Sequence, residues 1–320
     1  MFFRFLIGIC AIALLLLPGS RLALAAGYRA GSHEINLIGD GEAQGSSKLF
    51  VGADEALVKK YLPDGAYPTA IQYYVVRSAD KKVALVDTGF GRNLASGLRA
   101  LGLQPENVDA VLLTHMHGDH IGGMLKEGQP AFPRATVYVA GRERAYWTDP
   151  AMMEKAEKKD GFVNAQKVLA AYGERVRTFE PGELEARGVE ILPGIRAVAA
   201  FGHTPGHTMY LVGDESGQML IWGDLTHAMA MQMPAPRTAM VYDVDPEEAI
   251  ATRLKVLRYV SEHKIPVAGM HIPATGMGMV ARDGDGYAFT PADLAGALGH
   301  REKAPPEAPP KGSNAQSGRK

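Results

Sequence analysis

The densest group of chemically reactive side chains in this sequence lies between Thr114 and His120. The run reads THMHGDH, and four of its residues are of types that bind metal ions: His115, His117, Asp119 and His120. Imidazole nitrogens suit Zn²⁺, and such a loop can turn His115 and His117 toward one ion and Asp119 and His120 toward another. One isolated histidine would most simply be a packed core residue. Four ligand types this close together predict a metal site instead.

Three more residues of ligand type follow predicted strands further along the chain. His203 lies in a GHTPGH loop, Asp224 comes after Gly223 at a strand end, and His271 follows another strand. A single catalytic zinc needs three protein ligands and an open position, whereas two ions that share a carboxylate need about six or seven ligands. The candidates number seven and therefore predict a dinuclear site: His115, His117, Asp119, His120, His203, Asp224 and His271.

The elements that must position these residues alternate between strand and helix. Runs rich in β-branched and aromatic residues predict strands at 70–76, 83–86, 108–113, 135–139, 195–200, 208–212, 219–222 and 265–270. Helical spacing of apolar residues predicts helices over 94–103, 151–171 and 246–262. This order predicts an α/β fold in which two sheets pack together with helices outside. We find no linker between about residues 27 and 291, so we expect one domain, built of two similar halves.

Composition excludes several classes of protein. The 320 residues carry 34 basic and 35 acidic side chains, a formal net charge of −1, so nothing points to a nucleic-acid partner. The only cysteine, Cys10, excludes a disulfide framework and a cysteine-based zinc site. Any metal must therefore be held by histidine and carboxylate groups.

The two ends of the chain differ from its middle. Residues 1–25 combine a basic start with an apolar run at 5–17, which is too short for the roughly 20 residues that cross a bilayer. We interpret them as a secretory signal peptide, which predicts a periplasmic or secreted protein without a stable membrane anchor. Residues 301–320 are polar and Pro-rich, and we expect a disordered tail. The folded domain is then 26–300.

Several of these motifs resemble one family. VDTG at 86–89, THMHGDH, GHTPGH, the Gly223-Asp224 pair and the lone His271 resemble the metallo-β-lactamase fold superfamily of dinuclear metallohydrolases. The segments at 133–147 (PRATVYVAGRERAYW) and 192–212 resemble its methyl parathion hydrolase-like branch, which is itself similar to quorum-quenching lactonases. The resemblance implies a four-layer αββα sandwich whose site lies along the edge shared by both sheets.

The resemblance also implies roles for the seven ligands. His115, His117 and His203 would hold one zinc, while Asp119, His120 and His271 would hold the second. Asp224 would bridge the two ions together with a hydroxide, which is the nucleophile. The second position also accepts Mn, Co or Fe by ligand type.

The function implied is hydrolysis of small neutral esters, lactones or phosphotriesters, with a small molecule as the only partner and a homodimer left open. Alternatives are a dedicated acyl-homoserine lactonase, a β-lactamase-type amide hydrolase, or a non-catalytic zinc-binding protein of the same fold. The amide hydrolase is disfavoured because neither the cysteine ligand nor the ligand pattern of cysteine-free lactamases is present.

His227 departs from the family pattern, because the lactonases carry a tyrosine three residues after the bridging aspartate. It joins Asp119 and Asp224 as a candidate catalytic residue, since imidazole can donate a hydrogen bond or a proton. A structural role for it is an equal alternative. Asp87, in VDTG, is expected to brace the ligand loop, and His207 to pack beside the site.

Large apolar side chains near the motifs allow two interpretations. Trp147 is either a pocket wall or a core residue, whereas Trp222 is expected in the core. Met229, Met231 and Met233 alternate in sequence. They favour pocket lining over a soft Cu(I) site.

Overall fold

Two seven-stranded β-sheets form the centre of the protein. The computed structural model describes residues 27–292, so the predicted signal peptide and Pro-rich tail lie outside the described residues. Within 27–292, none of the helices has the length and apolar character that a membrane span requires.

The strands of the described chain are β1 (Gly27–Ala30), β2 (His33–Ser46), β3 (Phe50–Val51), β4 (Ala66–Arg77), β5 (Val83–Val86), β6 (Ala110–Leu112), β7 (Leu125–Lys126), β8 (Gln129–Pro130), β9 (Thr136–Ala140), β10 (Val176–Phe179), β11 (Val189–Leu192), β12 (Ile195–Ala199), β13 (Thr208–Asp214), β14 (Gly217–Ile221), β15 (Ala239–Met240), β16 (Val267–Ala268), β17 (Met277–Asp283) and β18 (Gly286–Pro291). Its α-helices are α1 (Glu55–Tyr61), α2 (Leu94–Ala100), α3 (Gly118–Ile121), α4 (Gly141–Thr148), α5 (Pro150–Lys155), α6 (Asp160–Tyr172), α7 (Met229–Gln232) and α8 (Pro246–His263).

Each sheet joins an antiparallel part to a parallel part. The first sheet has the order β1-β2-β4-β5-β6-β9-β10, and β5, β6, β9 and β10 run parallel. The second sheet has the order β11-β12-β13-β14-β16-β17-β18, with β14 and β16 parallel. Parallel neighbours end at the same edge of a sheet, so the loops that follow them lie side by side.

Alternate residues of the strands pack on opposite faces and so divide the core into layers. In β4, Tyr73 and Val75 pack with residues of α2 and α6, while Tyr74 and Val76 pack with Tyr210 and other residues of the second sheet. A third cluster joins the outer face of the second sheet to α8. The order is therefore helix, sheet, sheet, helix, which confirms the predicted four-layer αββα sandwich.

The predicted helix over 151–171 is wrong in its middle. The chain forms α5 and α6 instead, and Ala156 between them has an extended backbone with ψ 133°. Residues 157–160 are four consecutive charged side chains, all exposed, that have no apolar group to bury. A helix continued through this stretch would gain nothing from packing, since most helical stability in proteins comes from an amphipathic face.

Candidate metal centre

The predicted ligands converge because the strands before them end at shared sheet edges. Asp87 follows β5, and the His115–His120 loop follows the parallel neighbour β6. In the second sheet, Asp224 and His271 follow the parallel pair β14 and β16. All seven candidates meet where these edges face each other, and they form groups that could hold metal ions.

Three histidine nitrogens define the first group. His115 Nε2 lies 2.9 Å from His117 Nδ1, and His203 Nε2 lies 3.2 Å and 3.1 Å from these two atoms. Tetrahedral zinc with bonds of about 2.0–2.1 Å to nitrogen separates its ligands by about 3.3 Å. The observed spacing therefore suits one ion held by these three rings.

The second group consists of Asp119, His120 and His271. His271 Nε2 is 3.5 Å from Asp119 Oδ2, and His120 Nε2 is 3.8 Å from Asp119 Oδ1. Asp224 lies between the two groups, with Oδ1 3.2 Å from His120 Nε2 and Oδ2 3.4 Å from His203 Nε2. One carboxylate thus faces both groups, which is the arrangement expected of a bridging ligand.

Buried polar atoms that lack a hydrogen bond indicate whether these side chains suit a metal ion. His120 Nε2 and Asp224 Oδ1 are both buried and, although they lie 3.2 Å apart, neither makes a hydrogen bond of normal geometry within residues 27–292. Buried polar atoms without partners carry a cost of about 1–3 kcal/mol each, so they call for an ion or water. Both atoms point into the second group, and a cation there would satisfy them.

Electrostatics in the cluster support the same interpretation. Burial lowers the pKa of His115 well below its ordinary value and that of His117 to about 3, which leaves neutral rings able to bind metal. Burial opposes a charge on His203 as well, but the carboxylates of Asp224 and Asp243 outweigh it and raise its pKa to about 9. The buried carboxylates of Asp224 and Asp243 are stabilised by positive charge nearby, which either protons or metal ions can supply.

Asp87 braces the ligand loop, as the sequence predicts. Its Oδ1 accepts from the Thr114 N–H at 2.8 Å, and its Oδ2 accepts from Thr114 Oγ1 at 2.7 Å. The same oxygen lies 2.7 Å from His120 Nδ1, so Nε2 of that ring is left for a ligand role. On the opposite side of the site, His271 Nδ1 lies 2.7 Å from the Ala70 carbonyl oxygen. Such partners fix the ring orientation of metal-binding histidines.

Asp243 does the same for His203 and was not predicted. Its Oδ1 lies 2.9 Å from His203 Nδ1, and its Oδ2 accepts from the Met240 N–H at 2.9 Å. The buried Arg253 guanidinium lies 3.8 Å from Asp243 and donates to three backbone carbonyls. The only local signal for Asp243 is an acidic residue amid apolar neighbours, which by itself does not indicate a site.

His207 lies behind the ligands, as expected. Its Nδ1 donates to the Ala200 carbonyl at 2.9 Å, and its Nε2 accepts from the Asp224 N–H at 3.0 Å. Burial lowers its pKa to about 3, which keeps the ring neutral for this paired role. Gly223 makes the contact possible, because it has φ 58° and a Cβ there would lie 2.4 Å from His207 Nε2.

His227 joins the cluster at its second-sheet side. Its Nε2 is 3.0 Å from Asp224 Oδ2, and its ring stacks on His271 with centroids 4.7 Å apart. Burial lowers its pKa to about 4, against the opposing charge of Asp224. At neutral pH the ring is uncharged, so it can donate one hydrogen bond but does not act as an imidazolium acid.

The apolar candidates lie in the core. Trp147 is 5% exposed, belongs to the cluster between the first sheet and its helices, and meets the His117 ring edge-on at 5.6 Å between centroids. It is thus a core residue that supports a ligand, and Trp222 is fully buried as predicted. Met229 and Met233 pack in one cluster and Met231 in another, so their sulfur atoms do not share one site.

Comparison with known proteins agrees with this geometry. A family model described as the metallo-beta-lactamase superfamily matches residues 66–263, which is more than half of the chain. The chain belongs to the metallo-β-lactamase superfamily. Six of the seven predicted ligands fall inside the matched range, and only His271 lies beyond it.

The curated relatives that the chain matches are named as different kinds of enzyme. The chain is 30% identical over 164 residues to ribonuclease TTHA0252 of Thermus thermophilus, covering 50% of this chain and 36% of that protein. It is 33% identical over 100 residues to hydroxyacylglutathione hydrolase of Vibrio parahaemolyticus, covering 31% and 38%. The chain spans about a third of the length of these two relatives.

Solved structures of this superfamily match over most of the chain. The hydrolase AbOPH of the beta lactamase superfamily has a TM-score of 0.75 and 30% identity, covering 85% of this chain and 99% of that one. AidC, a dizinc quorum-quenching lactonase with bound N-hexanoyl-L-homoserine product, has a TM-score of 0.73 and 23% identity, covering 83% and 96%. The family match, the hydrolase AbOPH and the hydroxyacylglutathione hydrolase support a metal-dependent hydrolase.

Proposed function

We propose that this protein is an exported dinuclear zinc hydrolase of small neutral esters, lactones or phosphotriesters, in the methyl parathion hydrolase-like branch. The observation that carries the proposal is the placement of Asp224, whose carboxylate contacts both groups of histidines. Its Oδ1 lies 3.2 Å from His120 Nε2, and its Oδ2 lies 3.1 Å from His271 Nε2 and 3.4 Å from His203 Nε2. Such a centre requires a carboxylate shared by two ions.

The residues fit two zinc ions in the following way. His115, His117 and His203 would hold the first ion, and Asp119, His120 and His271 the second, with Asp224 between them. When bound, the ions supply an activated water at neutral pH and withdraw electron density from the substrate oxygen. Mn, Co or Fe would suit the second position by ligand type.

The protein's own groups then hold the substrate against the centre. His117, Asp119 and Tyr242 are half-buried, so the cluster opens to solvent on their side. His227 Nε2 lies 3.0 Å from Asp224 Oδ2, so the single N–H of the neutral ring faces this carboxylate. With metal ions bound to Asp224, the same N–H would be available to an oxygen atom of the substrate. His227 therefore takes the place that a tyrosine occupies in the lactonases.

The surroundings of the opening favour an uncharged substrate. Val241 and Val244 flank Tyr242 and Asp243 in sequence, and they are 52% and 44% exposed. Apolar side chains beside a polar centre are typical of sites that bind neutral organic molecules. They favour lactones, aryl esters and phosphotriesters over the polyanion on which a ribonuclease acts.

The decisive experiment compares two substrates in one buffer. The full chain, loaded with zinc, is assayed on an N-acyl homoserine lactone and an aryl phosphotriester, and kcat/KM is measured for each. We expect a preference of at least about 100-fold, which corresponds to roughly 2.7 kcal/mol of differential transition-state binding. A preference for the lactone makes the protein a lactonase, and a preference for the phosphotriester assigns it to the methyl parathion hydrolase-like branch.

The control is His203→Ala, which removes one nitrogen of the first group. We expect it to lose activity on both substrates, down to the rate of free zinc in the same buffer. If the unaltered protein binds two zinc ions but hydrolyses neither substrate nor a generic aryl ester, the non-catalytic alternative is correct. Turnover of a β-lactam in preference to both substrates would favour the amide hydrolase.

A further inference from the structure

Glu143 is a fully buried carboxylate that the proposed chemistry does not use. It lies in the first turn of α4, which follows β9, within the segment at 133–147 that resembles the methyl parathion hydrolase-like branch. Its two oxygens accept four hydrogen bonds. Oε1 accepts from the Met116 N–H at 2.9 Å and from Trp147 Nε1 at 2.6 Å. Oε2 accepts from Thr204 Oγ1 at 2.6 Å and the Gly206 N–H at 3.0 Å.

Three of the four donors belong to the two loops that carry the first group of histidines. Met116 lies between His115 and His117, and Thr204 directly follows His203. The loops come from different sheets, so no strand pairing fixes their distance. A backbone hydrogen bond from the Thr208 N–H to the Thr114 carbonyl, at 2.9 Å, joins the chain beside these loops. Glu143 joins the two loops themselves, where three ring nitrogens lie about 3 Å apart.

The His203 loop packs tightly against the backbone of α4 at Glu143. A Cβ on Gly206 would lie 2.2 Å from the backbone nitrogen of Glu143, so only glycine lets the His203 loop approach α4 this closely. Burial raises the pKa of the Glu143 carboxyl, and the four donors act against that by stabilising the ionised form. The group is held in one position by contacts on both oxygens.

We propose that Glu143 is a positioning residue for the first metal ion, because it fixes the His115–His117 loop relative to His203. This inference rests on the proposed function, since it assigns Glu143 to one of the two proposed ions. Glu143 makes no bond to the second group, where Asp87 lies directly against the His120 ring. Loss of Glu143 should therefore weaken the first site and spare the second.

Glu143→Gln tests the proposal with almost no change in side-chain volume. A glutamine has one acceptor oxygen and one donor NH₂. Its NH₂ would therefore face two of the donors whose hydrogen bonds the carboxylate accepts, and those two bonds would be lost. We expect the dissociation constant of one zinc to rise about 10–100-fold while the other is unchanged, measured by chelator competition on the full chain. With Co²⁺ in place of zinc, the absorption bands of one ion should shift and those of the other should remain.

Tyr172→Phe is the matched control, because it also removes a buried hydrogen-bonding group, the hydroxyl that donates to the Met124 carbonyl at 3.0 Å. We expect it to lower stability without changing either zinc affinity or the Co²⁺ bands. Equal effects of both variants on zinc binding would mean that Glu143 acts only through general stability, and the proposal would be wrong.

Thr204→Val provides a second route if the Gln variant does not fold. It removes a single donor to Oε2 and should weaken the first zinc less than Glu143→Gln does. If the Gln variant does not fold, an unchanged affinity for the first zinc in Thr204→Val would overturn the proposal. If the Gln variant folds, the two effects should not add in the double variant, because both act through one contact. Full additivity would overturn the proposal. If the unaltered protein binds no metal, the proposed function fails. If it binds two ions and Glu143→Gln keeps both, only the role of Glu143 fails.

Discussion

Four of the five predicted histidine ligands have one nitrogen facing the cluster and the other beside an oxygen atom. For His115 this oxygen is Thr114 Oγ1, 3.0 Å from Nδ1. Asp87 holds His120, Asp243 holds His203, and the Ala70 carbonyl holds His271. A ring tied at one nitrogen has little freedom to turn, so its other nitrogen stays aimed at one point. The geometry of the site is therefore set mainly by buried acceptors that touch no substrate.

His227 gives a test of function at the scale of one residue. Its neutral ring can donate to a substrate oxygen beside Asp224, and groups of this kind contribute about 10²-fold or more to rate. We expect His227→Ala to lower kcat/KM about 100-fold on the preferred substrate while the protein still binds two metal ions. Metal content is measured by inductively coupled plasma mass spectrometry on the assayed sample.

The control for His227 is His263→Ala, at the exposed end of α8. It should leave both activity and metal content unchanged. Unchanged turnover of His227→Ala on every ester tested would remove His227 from the mechanism. Loss of one metal ion in that variant would instead identify it as a ligand, since Asp224, His227 and His271 also form a group that could hold an ion.

The sequence predicted the seven residues that converge on the candidate centre, and Asp87 as the brace of their loop, but it did not predict Glu143 or Asp243. The seven ligands cluster in short motifs at strand ends, where several ligand types occur within a few positions. Glu143 and Asp243 are single acidic residues, one in α4 and one after β15, and each meets its partners only in the folded chain. The one local hint for Glu143 was its spacing of four residues before Trp147, to which it bonds.

At the scale of elements, the sequence predicted strands best where apolar residues are continuous. The strand over 83–86 matches β5 in full, whereas β4 extends beyond its predicted range of 70–76 to Ala66–Arg77. The whole of β2, 14 residues long, was missed. Its second half is rich in glycine and polar residues and carries a register shift between Gly39 and Gly41. The residues of this half have a weak intrinsic preference for the strand conformation, and pairing with β4 along its length stabilises β2.

A prediction at this scale concerns Asp214, which links the ends of two hairpins. It accepts from the N–H groups of Ser32 in the β1–β2 turn and Ser216 in the β13–β14 turn, both at 2.9 Å. These bonds and those of the two serine hydroxyls, led by Ser216, lower the pKa of Asp214 well below its ordinary range. A lowered pKa means that folding favours the ionised form. Its contribution is present above the unfolded value of about 3.9 and is lost as the pH falls below it.

We therefore expect Asp214→Asn to be less stable than the unaltered protein at pH 7, with a difference that shrinks steadily below about pH 4. Urea unfolding at a series of pH values measures this difference. Asp285→Asn, in the exposed turn between β17 and β18, is the control and should show a smaller effect. A constant difference between Asp214→Asn and the unaltered protein from pH 7 to pH 3 would contradict the assignment.

For the molecule as a whole, the centre is the place where the two halves meet. The His115–His120 loop follows a strand of the first sheet, while His203, Asp224 and His271 follow strands of the second. Ions held by both sets would bind the folded protein and not the unfolded chain, because unfolding separates the two sheets. Metal binding should therefore add directly to the free energy of unfolding.

Removal of metal should lower the melting temperature markedly and reversibly. At a free zinc concentration about 1,000-fold above both dissociation constants, each ion adds about 4 kcal/mol, so the two proposed ions together correspond to about 16–32 °C for a domain of this size. We expect a chelator to lower the Tm by this amount, measured by circular dichroism, and added zinc to restore it. Asp224→Asn, which weakens the group shared by both sites, should show a smaller shift. If chelation strips the metal and the Tm stays within about 1 °C, the ions do not join the two halves.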